Sequence, residues 1–115
     1  MFLQLKHKSL HVYEAVRELT KEIYNLSMLL PSEEKFNVVQ QIRKAALSVK
    51  LNVAEGSTRR SEIERNRFIE IARGSVVEID AAFETALDLN YYRLEQLKNL
   101  GELNKCFAML SNTIV

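Results

Sequence analysis

The chain is poor in the residues that interrupt or cross-link a fold: 115 residues hold one cysteine, one proline, three glycines and no tryptophan. A single cysteine, Cys106, excludes an intramolecular disulfide and any cysteine-based metal site. It sits in the apolar run Cys106-Phe107-Ala108-Met109-Leu110, where a buried thiol is expected. So few prolines and glycines leave few places to turn, which favours a handful of long elements over many short strands. No apolar stretch approaches the roughly 20 residues that span a bilayer, so no membrane contact is expected. The opening Met1-Phe2-Leu3-Gln4-Leu5-Lys6-His7-Lys8 lacks the order of a secretory signal, and the cytoplasm is the expected compartment. Apolar content of 47% with 27% charged residues is that of a folded globular chain.

Net charge is also nearly absent, at +1, but its distribution is uneven. Residues 41–73 hold eight Lys/Arg against four Asp/Glu, a balance of +4, whereas residues 74–115 hold three against six, a balance of −3. A basic middle beside an acidic C-terminal third can attract a polyanion locally even when the whole chain is close to neutral.

What the chain does have is helical periodicity along most of its length. Apolar residues recur at Val12, Val16, Leu19, Ile23, Leu26 and Leu30, then at Val39, Ile42, Ala46, Val49 and Val53. A third series runs through Phe68, Ala72, Ser75, Ile79, Ala82, Ala86 and Leu89, and a fourth through Leu100, Leu103, Phe107, Leu110 and Ile114. Pro31-Ser32 should end the first helix and cap the second, and Gly56 should close the second in a left-handed turn. Ser61 with Glu64 reads as a capping box, and Asn90 as a helix terminus. These breaks predict one domain over 1–115 with helices near 9–30, 33–55, 62–89 and 93–114. Short connections make neighbours antiparallel, so the fold class expected is all-α, an antiparallel up-and-down four-helix bundle.

Two further features bear on packing. Gly74 lies inside the third helix at a cost of about 1 kcal/mol relative to Ala, which predicts close packing by a neighbour there. Leu47, Leu51 and Ala54 on the second helix, with Phe83 and Leu87 on the third, form stripes beyond one bundle seam. A homo-oligomer would bury that surplus; a wide monomeric core is the other reading.

Chemical motifs are scarce. His7 and His11 stand four apart, the spacing of a two-histidine metal pair, but no third ligand accompanies them and solvated histidines are expected. There is no Glu-x-x-His, no phosphate-cradling glycine loop and no Gly-x-Ser-x-Gly elbow, so neither an enzyme nor a cofactor is expected. Asn52, Glu55 and Ser75, with Arg43, form a polar set near the second seam, read either as a pocket or as an internal network fixing helix register. Arg43, Lys44, Arg59, Arg60, Arg67 and Arg73 are the candidate nucleic-acid contacts, because guanidinium forks match phosphate oxygens. A solvated face with Glu62, Glu64 and Glu70 interleaved is the competing reading. Apart from Phe68 the patch lacks aromatics, so recognition of backbone and shape is expected rather than base stacking.

Several blocks together resemble a known family. They are Leu10-His11-Val12-Tyr13-Glu14-Ala15, Ile23-Tyr24, Leu30-Pro31, Glu34-Lys35, and the run from Gln41 to Val49. Asn52-Val53-Ala54-Glu55-Gly56, Arg60-Ser61, Phe68, Ile71-Ala72-Arg73-Gly74-Ser75, Glu78 and Leu87-Asp88-Leu89-Asn90-Tyr91 complete the pattern. It is similar to the bacterial four-helix bundle protein family, also called the 23S ribosomal RNA intervening-sequence protein family, from about residue 9 to the end. Tyr13 stands where Trp is usual, Asn90 where Gly is usual, Ser57-Thr58 where an aromatic or Gly often occurs, and Lys44 where Arg is common, the last losing a bidentate fork. The resemblance implies a bundle that assembles into a ring, a pentamer among relatives. It also implies a connection to ribosomal RNA genes or to reverse-transcriptase accessory proteins.

The expectation is therefore a non-catalytic oligomeric bundle that binds structured RNA or a nucleic-acid–protein complex through a basic surface of the second and third helices. The alternative is a protein-binding scaffold or accessory subunit, for example of a reverse transcriptase, without direct nucleic-acid contact. A small-molecule-binding bundle, resting only on Asn52 and Glu55, ranks last, and no small-molecule substrate is expected.

Overall fold

A computed structural model describes residues 11–114. Helix α1 spans His11–Ser27, α2 Val38–Gly56, α3 Glu62–Asp88 and α4 Gly101–Thr113, and there is no strand among the described residues. The most extensive packing is between α2 and α3, followed by α1 with α2, α3 with α4, and α1 with α4. Every residue of the first and second apolar series is buried, and Val16, Ile23 and Ile42 are fully so. Complete burial of such a side chain contributes about 1.5–3 kcal/mol.

The third seam runs differently from its expected course. Its buried positions are Ile69, Ala72, Ser75, Val76, Ile79, Phe83 and Ala86, while Leu89 is 52% exposed. Phe83, expected on a surplus stripe, is core: its ring meets Tyr92 at 5.8 Å between centroids. The reason is Tyr92, which enters the interior from the α3–α4 connection and donates its hydroxyl to the Leu26 carbonyl at 2.6 Å. That aromatic gives α3 a partner on the Phe83 side and turns the helix toward it.

Three helix boundaries also differ. Ser32 does not cap α2; it opens a single 3-10 turn, Ser32–Glu34, closed by Glu34 N–H to Pro31 O at 2.9 Å and Lys35 N–H to Ser32 O at 3.1 Å. α2 begins only at Val38, after Asn37 with φ −131° and ψ −97°. Similarly, the stretch after Tyr92 starts as a 3-10 segment, Leu94–Leu100, set by the Gln96 side chain accepting from Arg93 N–H at 2.7 Å. The first helix closes at Ser27, with turns carrying the chain to Pro31.

Neither Gly56 nor Gly74 plays the role expected of it. Gly56 has no left-handed φ, and its terminus continues through a right-handed Ser57 at φ −64°. What requires glycine there is proximity: an added Cβ would lie 2.7 Å from the Phe68 Cβ on α3. Gly74 is the reverse, since a Cβ there would meet nothing within 4 Å, so the close neighbour expected at Gly74 is absent from the described chain. The left-handed residue is Asn90, at φ 62°. It ends α3 with Asn90 N–H to Leu87 O and Tyr91 N–H to Ala86 O, the paired bonds of a Schellman terminus.

Candidate nucleic-acid interface

The α2–α3 connection is built around arginines. Ser61 caps α3 by accepting from Glu64 N–H at 3.3 Å. Arg65, one turn into α3, reaches back and donates from Nη1 to the carbonyls of Arg59 at 3.1 Å and Arg60 at 2.7 Å. This bracing fixes the connection and leaves the Arg60 side chain exposed, with Arg67 also exposed one turn and a half along α3. Residues 57–67 hold four arginines against Glu62 and Glu64. Nothing in the sequence pattern marked Arg65 as a brace, because its reach of five and six residues matches no periodic helix pair.

The six expected basic contacts do not share one face. Arg43 faces α1: its Nε donates to Ser27 Oγ at 2.8 Å and its guanidinium lies 5.2 Å from the Tyr24 ring centroid. Ser27 is buried and donates in turn to Tyr24 O at 2.8 Å. Arg73 faces α4, donating to Ser111 Oγ at 2.7 Å, 4.6 Å over Phe107 and 3.9 Å from Glu70. Arg59 lies 4.9 Å over Phe68 and pairs with Glu55 at 2.6 Å. Each of these three therefore couples a stacked ring with a hydrogen bond or ion pair, which holds the charge in place and joins neighbouring segments. Lys44 is exposed at a groove of about 370 Å³ between α2 and α3, lined also by Gln41, Ser48, Ile71, Gly74 and Glu78. Arg59 and Arg60 thus lie in the connection and Arg67 stands exposed early on α3, whereas Arg43 faces α1, Arg73 faces α4 and Lys44 lines the α2–α3 groove.

The polar set near the second seam is a network between helices. Ser75, buried on α3, donates to Ser48 Oγ at 2.8 Å, and Asn52 donates to Ser48 O at 2.8 Å and to Ser48 Oγ at 3.2 Å. Ser48 is the hub, and it was not singled out from the sequence because a lone serine on a helix has no distinctive spacing. Glu55 stands outside the network, on the surface with Arg59.

A wider cleft of about 570 Å³ between α1 and α4 is lined by His11, Glu14, Arg17, Glu18, Glu102 and Lys105, charges of both signs on an open surface. No group of three His, Cys, Asp or Glu could hold a metal among the described residues, and His7 lies outside them. Burial pushes the Cys106 thiol up to about 11 and the Tyr92 phenol up to about 12, so both stay protonated and unreactive near neutrality. No helix is long and apolar enough to cross a membrane, among the residues described.

A family model described as 23S rRNA-intervening sequence protein matches residues 8–112. No curated protein matches the chain.

Proposed function

The chain belongs to the 23S rRNA-intervening sequence protein family, and from that membership we propose a non-catalytic, self-associating helical bundle that binds structured RNA by its phosphate backbone. The observation that carries this reading is the braced α2–α3 connection, where Arg65 fixes the main chain and Arg60 and Arg67 project freely. Because the turn's main chain is already fixed, only side-chain rotamers remain to be ordered when these donors meet a phosphate. Arg59 lies at the rim of the site, and Lys44 supplies a further charge along α2. Arg43 and Arg73 serve the fold rather than the contact.

An up-and-down antiparallel order for the four helices completes the picture. It is supported by pairings in which one partner descends as the other rises: Gly56 against Phe68 and Ser48 against Ser75. Arg73 against Ser111 and Val76 beside Phe107 follow the same rule between α3 and α4. Self-association, in a ring of five as the family resemblance implies, is supported by Leu47 and Leu51, exposed on α2, and by Ile71, exposed in the groove that holds Gly74. The unpaired buried Cys106 suits a reducing, cytoplasmic compartment.

The test is a fluorescence titration with a folded ribosomal RNA hairpin at several salt concentrations, for the native chain and for Arg60→Ala/Arg67→Ala. Each lost phosphate contact should flatten the log–log salt slope by about 1. Unchanged affinity and slope in the double variant would remove the connection from the site. Loss of all binding at low salt in the native chain would overturn RNA binding itself.

A further inference from the structure

The end of the molecule away from the arginines carries an exposed apolar cluster. Phe36 is 82% exposed, Leu94 71%, Met28 68%, Leu29 57% and Leu89 52%. These five belong to the α1–α2 and α3–α4 connections, and Tyr92 ties the second of these to the end of α1. The Tyr91 pKa is raised by burial first and then by the neighbouring Glu34 and Glu33 carboxylates, while the Tyr92 hydroxyl donates to Leu26 O. Leu30 and Tyr92 of these connections enter the core, whereas the five remain outside it. Exposed apolar residues rimmed by polar ones mark contact surfaces.

The rim states the charge of what fits. The same connections carry Glu33, Glu34, Asp88 and Glu95 against Lys35 and Arg93; Lys35 Nζ lies 5.4 Å from the Phe36 ring centroid and Arg93 is engaged with Glu95 at 3.1 Å. Glu34 adds a second, independent sign: its Oε2 is buried with no hydrogen-bond partner. A buried carboxylate oxygen without a donor is costly, and an incoming cation would satisfy it. Phosphates and anionic lipid headgroups are repelled by such a rim. A second copy meeting this end symmetrically would set the same acids face to face.

We propose that the surface formed by Met28, Leu29, Phe36, Leu89 and Leu94 docks a protein segment, an amphipathic helix with an apolar face and basic flanks. The apolar face covers the cluster, and a flanking Lys or Arg reaches Glu33 and Glu34. The site is separate from the RNA contact and does not rest on it. α2, whose 19 residues join the two regions, spans about 28 Å at helical rise.

The test uses the full chain and a fluorescein-labelled leucine–lysine amphipathic peptide, with a leucine–glutamate peptide of the same spacing as control, read by anisotropy. Saturable micromolar binding of the lysine peptide alone is expected. Phe36→Ser/Leu94→Ser should weaken it about tenfold or more, as loss of central apolar anchors does. Glu33→Gln/Glu34→Gln, which leaves the apolar cluster intact, should weaken it and reduce its salt dependence; circular dichroism verifies that both variants fold. Absence of saturable binding, equal binding of the glutamate peptide, or affinity unaltered in both variants would overturn the proposal. So would sedimentation equilibrium in which Phe36→Ser/Leu94→Ser dissociates an assembly, because the surface would then be a contact between copies.

Discussion

At the α2–α3 connection four arginines surround a turn whose main chain is braced from within, and the only large apolar side chain exposed among residues 57–67 is Ile63. At the opposite end, two connections, one of them tied to α1 by Tyr92, expose five large apolar side chains in segments that also carry Glu33, Glu34, Asp88 and Glu95. Both ends are anchored, but by different chemistry: guanidinium-to-carbonyl bonds in one, a phenol-to-carbonyl bond in the other. The main chain is thus held at each end, with exposed side chains suited to phosphate at one and to an apolar, basic protein segment at the other. A near-zero net charge conceals this division because the two ends offset one another.

The comparison is most readily broken at the basic end through Gly56. Gly56→Ala places a methyl 2.7 Å from the Phe68 Cβ, an atom that cannot move without moving α3. A loss of about 2 kcal/mol is expected in denaturant unfolding, as for other overpacked sites. An unchanged midpoint would mean that α3 can retreat freely. At the apolar end, Tyr92→Phe removes one of two donors to the Leu26 carbonyl, which keeps Leu29 N–H at 3.0 Å, and should cost about 1 kcal/mol.

Titration sharpens the same point. Tyr92 and Cys106 have folded pKa values of about 12 and about 11, above their ordinary 10.0 and 9.0, so the folded state holds these protons more tightly. Stability from them is complete below pH 9 and is lost as pH rises from 9 toward 12. Tyr92→Phe should flatten the upper part of that decline in alkaline unfolding curves. The smallest effect lies between the ends. Gly74→Ala meets no neighbour and should stabilise the monomer by up to about 1 kcal/mol through helix propensity. If the α2–α3 groove holds another copy, the same change should weaken assembly in sedimentation, and the two readouts would separate in sign.

The seams of α1 and α2 were legible because strict spacing leaves one face to bury, and Val12 to Leu30 and Val39 to Val53 all reached the core. α3 was harder to read. Tyr92 enters the core from a connection, and that long-range contact, invisible to periodicity, exchanged Ala82 and Leu89 for Phe83 and Val76. Glycine was misassigned for a related reason. Composition reveals that a helix contains Gly74 or ends at Gly56, but only the approach of Phe68 decides which one needs the missing Cβ. For the candidate site, charge density located the connection, but it could not separate free arginines from stacked ones. Arg43, Arg59 and Arg73 each found an aromatic on another segment, and a sequence does not state which ring lies beneath which guanidinium.

Amide shift mapping by two-dimensional NMR during titration with a ribosomal RNA hairpin tests the division between the two ends most directly. The account predicts perturbations concentrated in residues 57–67, suppressed by Arg60→Ala/Arg67→Ala, with residues 28–36 and 89–94 unaffected. Perturbations centred on Phe36 and Leu94 instead would contradict it.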